Sequence, residues 1–286
     1  MPELPEVAAL AGGLTERMRG HTVVAARLRS IGALKTYDPP LQALAGARVD
    51  GWTRHGKFLD MAAGDLHLVV HLARAGWIRW RERLGEARAT LRGPLALQLE
   101  LDGGSGIDIT EQGTEKRLAL YVVRDPSTDV PGIARLGVDV LDRALDAAML
   151  RKLLRARRGQ LKTLLADQTL IAGVGNAYSD EILHAARLSP FRQASALSDE
   201  EADRLHHSLR MVMTDAVERT RDLDIGDLKP DKREHMAVHG RTGEPCPVCG
   251  DTVRQVSLAT RSFQYCPTCQ TGGRVLADRR LSRLLR

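Results

Sequence analysis

The chain has 286 residues, 43% hydrophobic and 27% charged, which suits buried cores in two or three domains and excludes a disordered tail, a fibre or a disulfide miniprotein. Of 42 basic residues only seven are Lys and 35 are Arg; against 36 acidic residues this leaves a formal net charge of +6, a balance that favours a polyanionic partner. No run approaches the roughly 18 uninterrupted apolar residues a membrane span needs, and Glu3 and Glu6 stand where a signal peptide would be basic, so a soluble, intracellular protein is expected.

Val7, Leu10, Leu14 and Met18 recur at helical spacing, which predicts an amphipathic helix over residues 5–19 ended by Gly20. From Val23 to about Val123 the rhythm changes. Leu95, Leu97, Leu99 and Leu101 alternate, Leu66–Leu72 reads as a buried strand, and Gly or Pro punctuates between them, so an antiparallel sandwich or barrel is predicted. Arg124 to Gly132 is a turn-rich connector, and beyond Asp142 the pattern is helical to about Thr220. Ser198 to Glu201 forms a Ser-x-x-Glu capping box ahead of Ala202, Leu205, Leu209, Val212 and Ala216.

In Ile171-Ala172-Gly173-Val174-Gly175-Asn176, two glycines permit close backbone approach to a ligand, and Asn176 is placed to cap a following helix over 177–187 whose positive end suits a phosphate. Gly-x-Gly alone is a weak signal that favours a tight turn over a phosphate site. Residues 221–240, rich in Asp, Lys and Gly, read as an exposed linker. Aromatic residues make up only 3% of the chain, so base stacking on an aromatic sheet is not expected to be its main grip on nucleic acid.

The four cysteines form the sharpest local signal: Cys246-x2-Cys249, sixteen residues, then Cys266-x2-Cys269. Two such thiolate pairs clasp one tetrahedral zinc ion; two structural disulfides are the competing reading, which fits a secreted protein better than this one. Turn residues Pro245, Gly250 and Pro267, with short strands at Thr252-Val253 and Phe263–Tyr265, predict a zinc ribbon in which the metal is structural.

The opening Met1-Pro2-Glu3-Leu4-Pro5-Glu6 also needs an explanation. Met is normally removed before a small residue such as Pro, leaving a secondary amine with two carboxylates close by. An α-amine has an ordinary pKa of about 7.7–8.0, and the positive end of a helix disfavours its charged form further. An exposed amine of this kind can attack C1′ of a nucleotide, and a proline adduct is an iminium that serves as an electron sink for breaking neighbouring C–O bonds. Glu3 is then a proton shuttle and Glu6 an orienting group. Pro and Glu also favour the first turn of any helix, so these six residues alone leave both readings open.

Taken in order, Met1–Val7, His55-Gly56-Lys57-Phe58-Leu59, Asp167-Gln168 with Ala172-Gly173-Val174-Gly175-Asn176, and the four-cysteine ribbon carrying Arg261 make the chain resemble the formamidopyrimidine-DNA glycosylase/endonuclease VIII family over essentially its whole length. The resemblance implies an α+β multidomain protein: an N-terminal catalytic helix with an antiparallel β-sandwich, then a helix-two-turn-helix domain with a four-cysteine zinc finger, with DNA held in the cleft between them. The expected boundaries are 1–130 for the sandwich, 131–145 for a linker, 146–236 for the helical domain, 237–275 for the zinc finger and 276–286 for a basic tail.

It implies excision of flipped damaged bases and strand cleavage by β,δ-elimination, with one structural Zn2+ held by Cys246, Cys249, Cys266 and Cys269. Pro2 matches the family's nucleophile, Glu3 its proton-transferring acid, Glu6 its acidic neighbour and Lys57 the hairpin lysine that contacts phosphate and assists chemistry. Asn176 matches the phosphate-binding asparagine, Arg261 the zinc-finger arginine that grips the backbone, and Lys162 a basic DNA contact. The expected partner is damaged duplex DNA, with single-stranded and bubble DNA as further forms, and the expected protein is a cytoplasmic, nucleoid-associated monomer.

Two departures bear on specificity. Where members that recognise oxidised purines carry a void-filling Met, this chain reads His71-Leu72-Ala73-Arg74-Ala75-Gly76, and in place of Asp-Pro-Arg-Arg-Phe-Gly it reads Asp108 to Arg117 without that wedge. Arg74 is the candidate to fill the gap as a flat cation among bases. The segment from Asp222 to Glu234 is short and highly charged, so the lesion range is not expected to centre on 8-oxoguanine. A binding paralogue that marks distorted DNA and a zinc-ribbon RNA-binding protein are the alternatives; Pro2, Glu3 and Lys57 argue for chemistry, since a pure binder needs no nucleophile.

Overall fold

The computed structural model describes residues 1–84, 93–258 and 261–277, with the backbone alone for Leu258 and Arg261. Two compact units are present. Met1–Arg135 and Arg219–Leu228 form the first, and Leu136–Glu218 with the chain from Lys229 onward form the second.

The first unit starts with helix α1 (Leu4–Met18). Val7, Leu10, Leu14 and Met18 are all fully buried, as their spacing predicts, and so is Leu4, which precedes the predicted helix. Packing, not propensity, holds this helix: Gly12 and Gly13 each cost about 1 kcal/mol in a helix interior, whereas each fully buried large apolar side chain contributes about 1.5–3 kcal/mol. A Cβ at Gly13 would sit 3.8 Å from Ile225, an ordinary contact, and 3.3 Å from the end of the flexible Arg17 side chain, so space alone does not require glycine there. After the helix the chain reverses through Gly20, whose φ of +86° is a left-handed conformation suited to glycine.

Eight strands follow: β1 (Val23–Leu28), β2 (Val49–His55), β3 (Phe58–Ala63), β4 (Leu66–His71), β5 (Gly76–Arg81), β6 (Leu95–Leu101), β7 (Gly106–Glu111) and β8 (Ala119–Val123). They make two four-stranded antiparallel sheets, ordered β1-β6-β7-β5 and β2-β3-β4-β8. Leu59, Met61, Leu68 and Val70 from one sheet and Leu97, Leu99, Ile107 and Ile109 from the other share one core with α1, which makes the unit a β-sandwich with a helix at its start. The connector after β8 contains one helical turn, α2 (Pro126–Asp129), capped by Asp125.

The second unit is mainly helical: α3 (Ala147–Arg155), α4 (Leu161–Leu165), α5 (Asn176–Ala185), α6 (Asp199–Thr220, whose last two residues group with the first unit) and α7 (Leu228–Glu234). A short parallel pair, β9 (Val138–Asp139) and β10 (Ile171–Ala172), joins its beginning to the stretch before α5. The capping box that starts α6 forms in both directions, with Ser198 N–H donating to Glu201 at 2.9 Å and Glu201 N–H to Ser198 Oγ at 3.1 Å. The ribbon has antiparallel strands β11 (Arg254–Leu258) and β12 (Arg261–Tyr265), followed by α8 (Pro267–Thr271). Its first strand begins two residues later than predicted, since Thr252 makes only an isolated bridge to Pro245. No helix among the described residues is long and apolar enough to cross a membrane.

The expected linker at 221–240 is instead structured. It contains α7, and Ile225, Leu228, Met236 and Val238 are buried. Its apolar residues follow neither a helical nor a strand period, and its charges dominate the composition, which hides them from pattern reading.

Candidate active site, zinc centre and phosphate-binding elements

Pro2 and Glu3 lie at the start of α1, where Glu3 is the N-cap. The Glu3 N–H donates to Glu6 Oε2 at 2.7 Å, and Glu3 and Glu6 are each only 1% exposed. A carboxylate on the first turn, where the helix offers unsatisfied N–H groups, is favoured by both the hydrogen bond and the dipole. Glu6 therefore fixes the peptide that joins Pro2 to Glu3.

The expectation of an exposed leading nitrogen concerns the chain trimmed of Met1; with Met1 attached, Pro2 is buried and Met1 is 47% exposed. An acylated proline nitrogen is a tertiary amide whose lone pair is delocalised, so only removal of Met1 frees an amine.

Lys57 occupies the turn between β2 and β3, where His55 pairs with Phe58 and Gly56 takes a left-handed φ of 55°. Lys57 is 7% exposed. Beside it, burial first and the Lys57 charge second push the His71 pKa down to about 4, so the imidazole is neutral near pH 7. The His71 ring lies 4.6 Å from that of Phe58. Sequence reasoning does not single out His71 as a site residue, because its cross-strand pairing with Phe58 is a non-local fact.

Arg74 is exposed in the turn from β4 to β5. That turn closes by Gly76 N–H to Leu72 C=O at 2.8 Å, and a Cβ on Gly76 would meet Leu72 O at 2.2 Å, so glycine is required there. The wedge-less segment sits beside this turn, with Gln112 N–H donating to Ala75 C=O at 3.2 Å. Buried Glu111 ties its far end by accepting from Arg117 N–H at 2.6 Å and Leu118 N–H at 2.8 Å.

In the second unit the N-cap of α5 is Gly175, and Asn176 is the first helical residue. The expected capping by Asn176 does not occur, because Asn176 stands one residue inside the helix: its Oδ1, the atom that would cap, is buried without a hydrogen-bond partner among the described residues, and its Nδ2 donates to Ser262 C=O on β12 at 3.2 Å. Lys162, expected as a DNA contact, is 1% exposed and ion-paired with Asp180 at 2.6 Å. The backbone of Arg261 opens β12; its side chain lies outside the described residues, as does most of the expected basic tail.

The four cysteine sulfurs lie within 4.8 Å of one another, with Cys246–Cys269 at 3.9 Å and Cys249–Cys266 at 3.3 Å. Zn–S bonds of about 2.3 Å place tetrahedral sulfurs roughly 3.8 Å apart, so the set fits one zinc ion, and none of the four is in a disulfide. Burial pushes the Cys266 thiol up to about 11 and raises Cys269 as well. Clustered thiolates need a cation to ionise together, which a dication supplies. Cys246, Cys249, Cys266 and Cys269 form a structural zinc site of the closed, all-thiolate type. Buried His184 on α5 places Nε2 3.3 Å from Cys246 Sγ, a supporting contact that the spacing of cysteines could not disclose.

A sandwich led by a capped helix, a helical unit and a four-cysteine ribbon define one class of protein, and the chain's similarities agree. Residues 1–115 match the formamidopyrimidine-DNA glycosylase N-terminal domain, 136–224 the formamidopyrimidine-DNA glycosylase H2TH domain, and 243–272 a zinc finger found in FPG and IleRS. The formamidopyrimidine-DNA glycosylase of Moorella thermoacetica is 36% identical over 264 residues, covering 90% of this chain and 94% of that protein. An uncharacterized formamidopyrimidine-DNA glycosylase-like protein of Mycobacterium tuberculosis is 56% identical over 151 residues, 53% of this chain and 94% of the relative. The crystal structure of MutM (Fpg) from Thermus thermophilus superposes with a TM-score of 0.79 at 34% identity, covering 94% of this chain and 98% of that one. The chain belongs to the formamidopyrimidine-DNA glycosylase/endonuclease VIII family.

Proposed function

We propose that this chain is a bifunctional DNA glycosylase and abasic-site lyase of base excision repair that works through a Schiff base on Pro2. The observation that carries the reading is the start of α1, where Glu6 holds the Glu3 N–H and two buried carboxylates flank Pro2. With Met1 removed, the Pro2 amine attacks C1′ and the glycosidic bond breaks, the base leaving with a proton; the amine loses its own proton, and the C1′–O4′ bond then opens as O4′ takes up a proton, which leaves an iminium at C1′. The resulting iminium acidifies C2′–H; loss of that proton to a carboxylate expels the 3′ phosphate, and a second elimination expels the 5′ phosphate. Glu3 is the proton carrier and Glu6 orients the segment.

Lys57, Arg74, Asn176 and Arg261 are proposed to contact DNA, the partner named by the family. Because the segment between Glu111 and Leu118 lacks the wedge of purine-specific members, lesions other than 8-oxoguanine, and single-stranded or bubble contexts, are the proposed substrates. The protein is proposed to act as a monomer in the cytoplasm, associated with the nucleoid.

The test is strand nicking: the chain with Pro2 at its terminus is expected to cut abasic-site DNA and release oxidised bases, and Pro2→Gly to lose both. Binding to damaged DNA without any nicking would overturn the enzyme reading in favour of a damage-binding paralogue.

A further inference from the structure

A lysine buried to 1% exposure is uncommon, and Lys162 is buried in a way that accounts for its charge. Its ammonium donates to Asp180 Oδ1 at 2.6 Å and to the carbonyl of Asn176. It also lies 5.3 Å from the centroid of the Phe263 ring on β12. The other oxygen of Asp180, itself fully buried, lies 2.7 Å from His239 Nδ1. The neighbouring Glu181 accepts three successive backbone N–H groups, from Ala237 at 2.7 Å, Val238 at 3.0 Å and His239 at 2.8 Å. Burial raises the Glu181 pKa, and those three amides oppose the rise.

One cation therefore joins α4, the first residue of α5, and the ribbon strand that carries Ser262. Asn176 spends one amide hydrogen on Ser262 C=O, leaving the second for a ligand, and the direction of that hydrogen depends on where the Asn176 backbone is held.

We propose that Lys162 is a positioning residue: clamped by Asp180, its ammonium holds the Asn176 backbone, and thereby aims the Asn176 amide that bridges to the ribbon at a DNA phosphate, without touching the phosphate itself. The proposal rests on the DNA-binding reading above. It differs from a direct contact in a measurable way. A lysine that neutralises a phosphate releases counterions and contributes about 0.9 to the slope of log K against log salt, whereas one already neutralised by a buried aspartate contributes nothing.

The experiment measures binding of the full zinc-loaded chain to duplex containing a tetrahydrofuran abasic analogue across a salt series. Lys162→Met is expected to weaken binding about tenfold with an unchanged salt slope and one zinc retained per chain. Asn176→Ala is expected to weaken it too, and the double variant to be no weaker than Asn176→Ala alone, because the lysine acts through the asparagine. Asp180→Asn, which keeps the ammonium but loosens its clamp, is expected to weaken binding in the same direction; it carries the test should Lys162→Met fail to fold. A slope lower by about one phosphate contact, unchanged affinity, or additive losses would each overturn the proposal while wild-type binding stands. A wild-type chain that does not bind would overturn this proposal and the DNA-binding reading together.

Discussion

Stripping zinc with a chelator, or replacing Cys266 with Ser, is expected to melt the ribbon and abolish measurable DNA binding. Among the described residues, the apolar cluster around the thiols comprises Val238, Cys246, Val253 and Cys266, with Cys269 against it, and the ribbon strands add a second small one of Val256, Phe263 and Tyr265, with Phe191 and Leu276 against it. Two such small clusters do not offset the conformational entropy of ordering the ribbon, of the order of 1–2 kcal/mol per residue for the backbone. Structural zinc contributes about 10–16 kcal/mol of apparent binding free energy in zinc-finger peptides near neutral pH, and that energy is folding energy. Without it the pairing of Val256 with Phe263 has no anchor at its Cys266 end, and the hydrogen bond from Asn176 to Ser262 goes with it. Hydrogen exchange is the direct readout: amides of β11 and β12 should lose protection in the metal-free chain. Retained protection with no zinc bound would show that the ribbon folds on its own packing.

Glu3→Gln should lower the single-turnover rate of base excision by about 10²–10⁴-fold, the range for removing a positioned proton carrier. The change isolates chemistry from structure. Of the two bonds of the helix-start capping box, the one from the Glu3 backbone N–H to Glu6 does not use the Glu3 carboxylate, and the one that the Glu3 side chain accepts from the Glu6 backbone can be kept by the Gln amide oxygen. The fold should lose no more than about 1 kcal/mol, the usual scale of an N-cap change. A melting curve near wild type with a collapsed rate supports the assignment, and an unchanged rate removes Glu3 from the mechanism.

What can be read from the sequence follows the range of each interaction. The α1 stripe, the alternation of β6, the Ser198–Glu201 box and the two Cys-x2-Cys pairs are local, so spacing alone discloses them. Lys162 illustrates the limit. Its charge is visible, but Asp180 lies eighteen residues on, Phe263 is further still, and burial by distant partners makes an expected DNA contact an internal ion pair. Glu181 is the same case: it is paired with backbone 56 to 58 residues away, which gives a segment of linker-like composition its structure. Asn176 is legible as a residue at a helix start but not as a bridge to β12, because its partner Ser262 is 86 residues distant. His71 escapes for a related reason: its chemistry is set by Lys57 and Phe58 across the sheet.

The central claim, a covalent bond from the Pro2 nitrogen to deoxyribose, is tested most directly by borohydride reduction on an abasic-site duplex followed by peptide mass mapping. The chain trimmed of Met1 should give one reduced adduct, on the peptide that begins with Pro2, and the chain that retains Met1 should give none. An adduct mapped to a lysine, or equal trapping with Met1 still attached, would contradict the account.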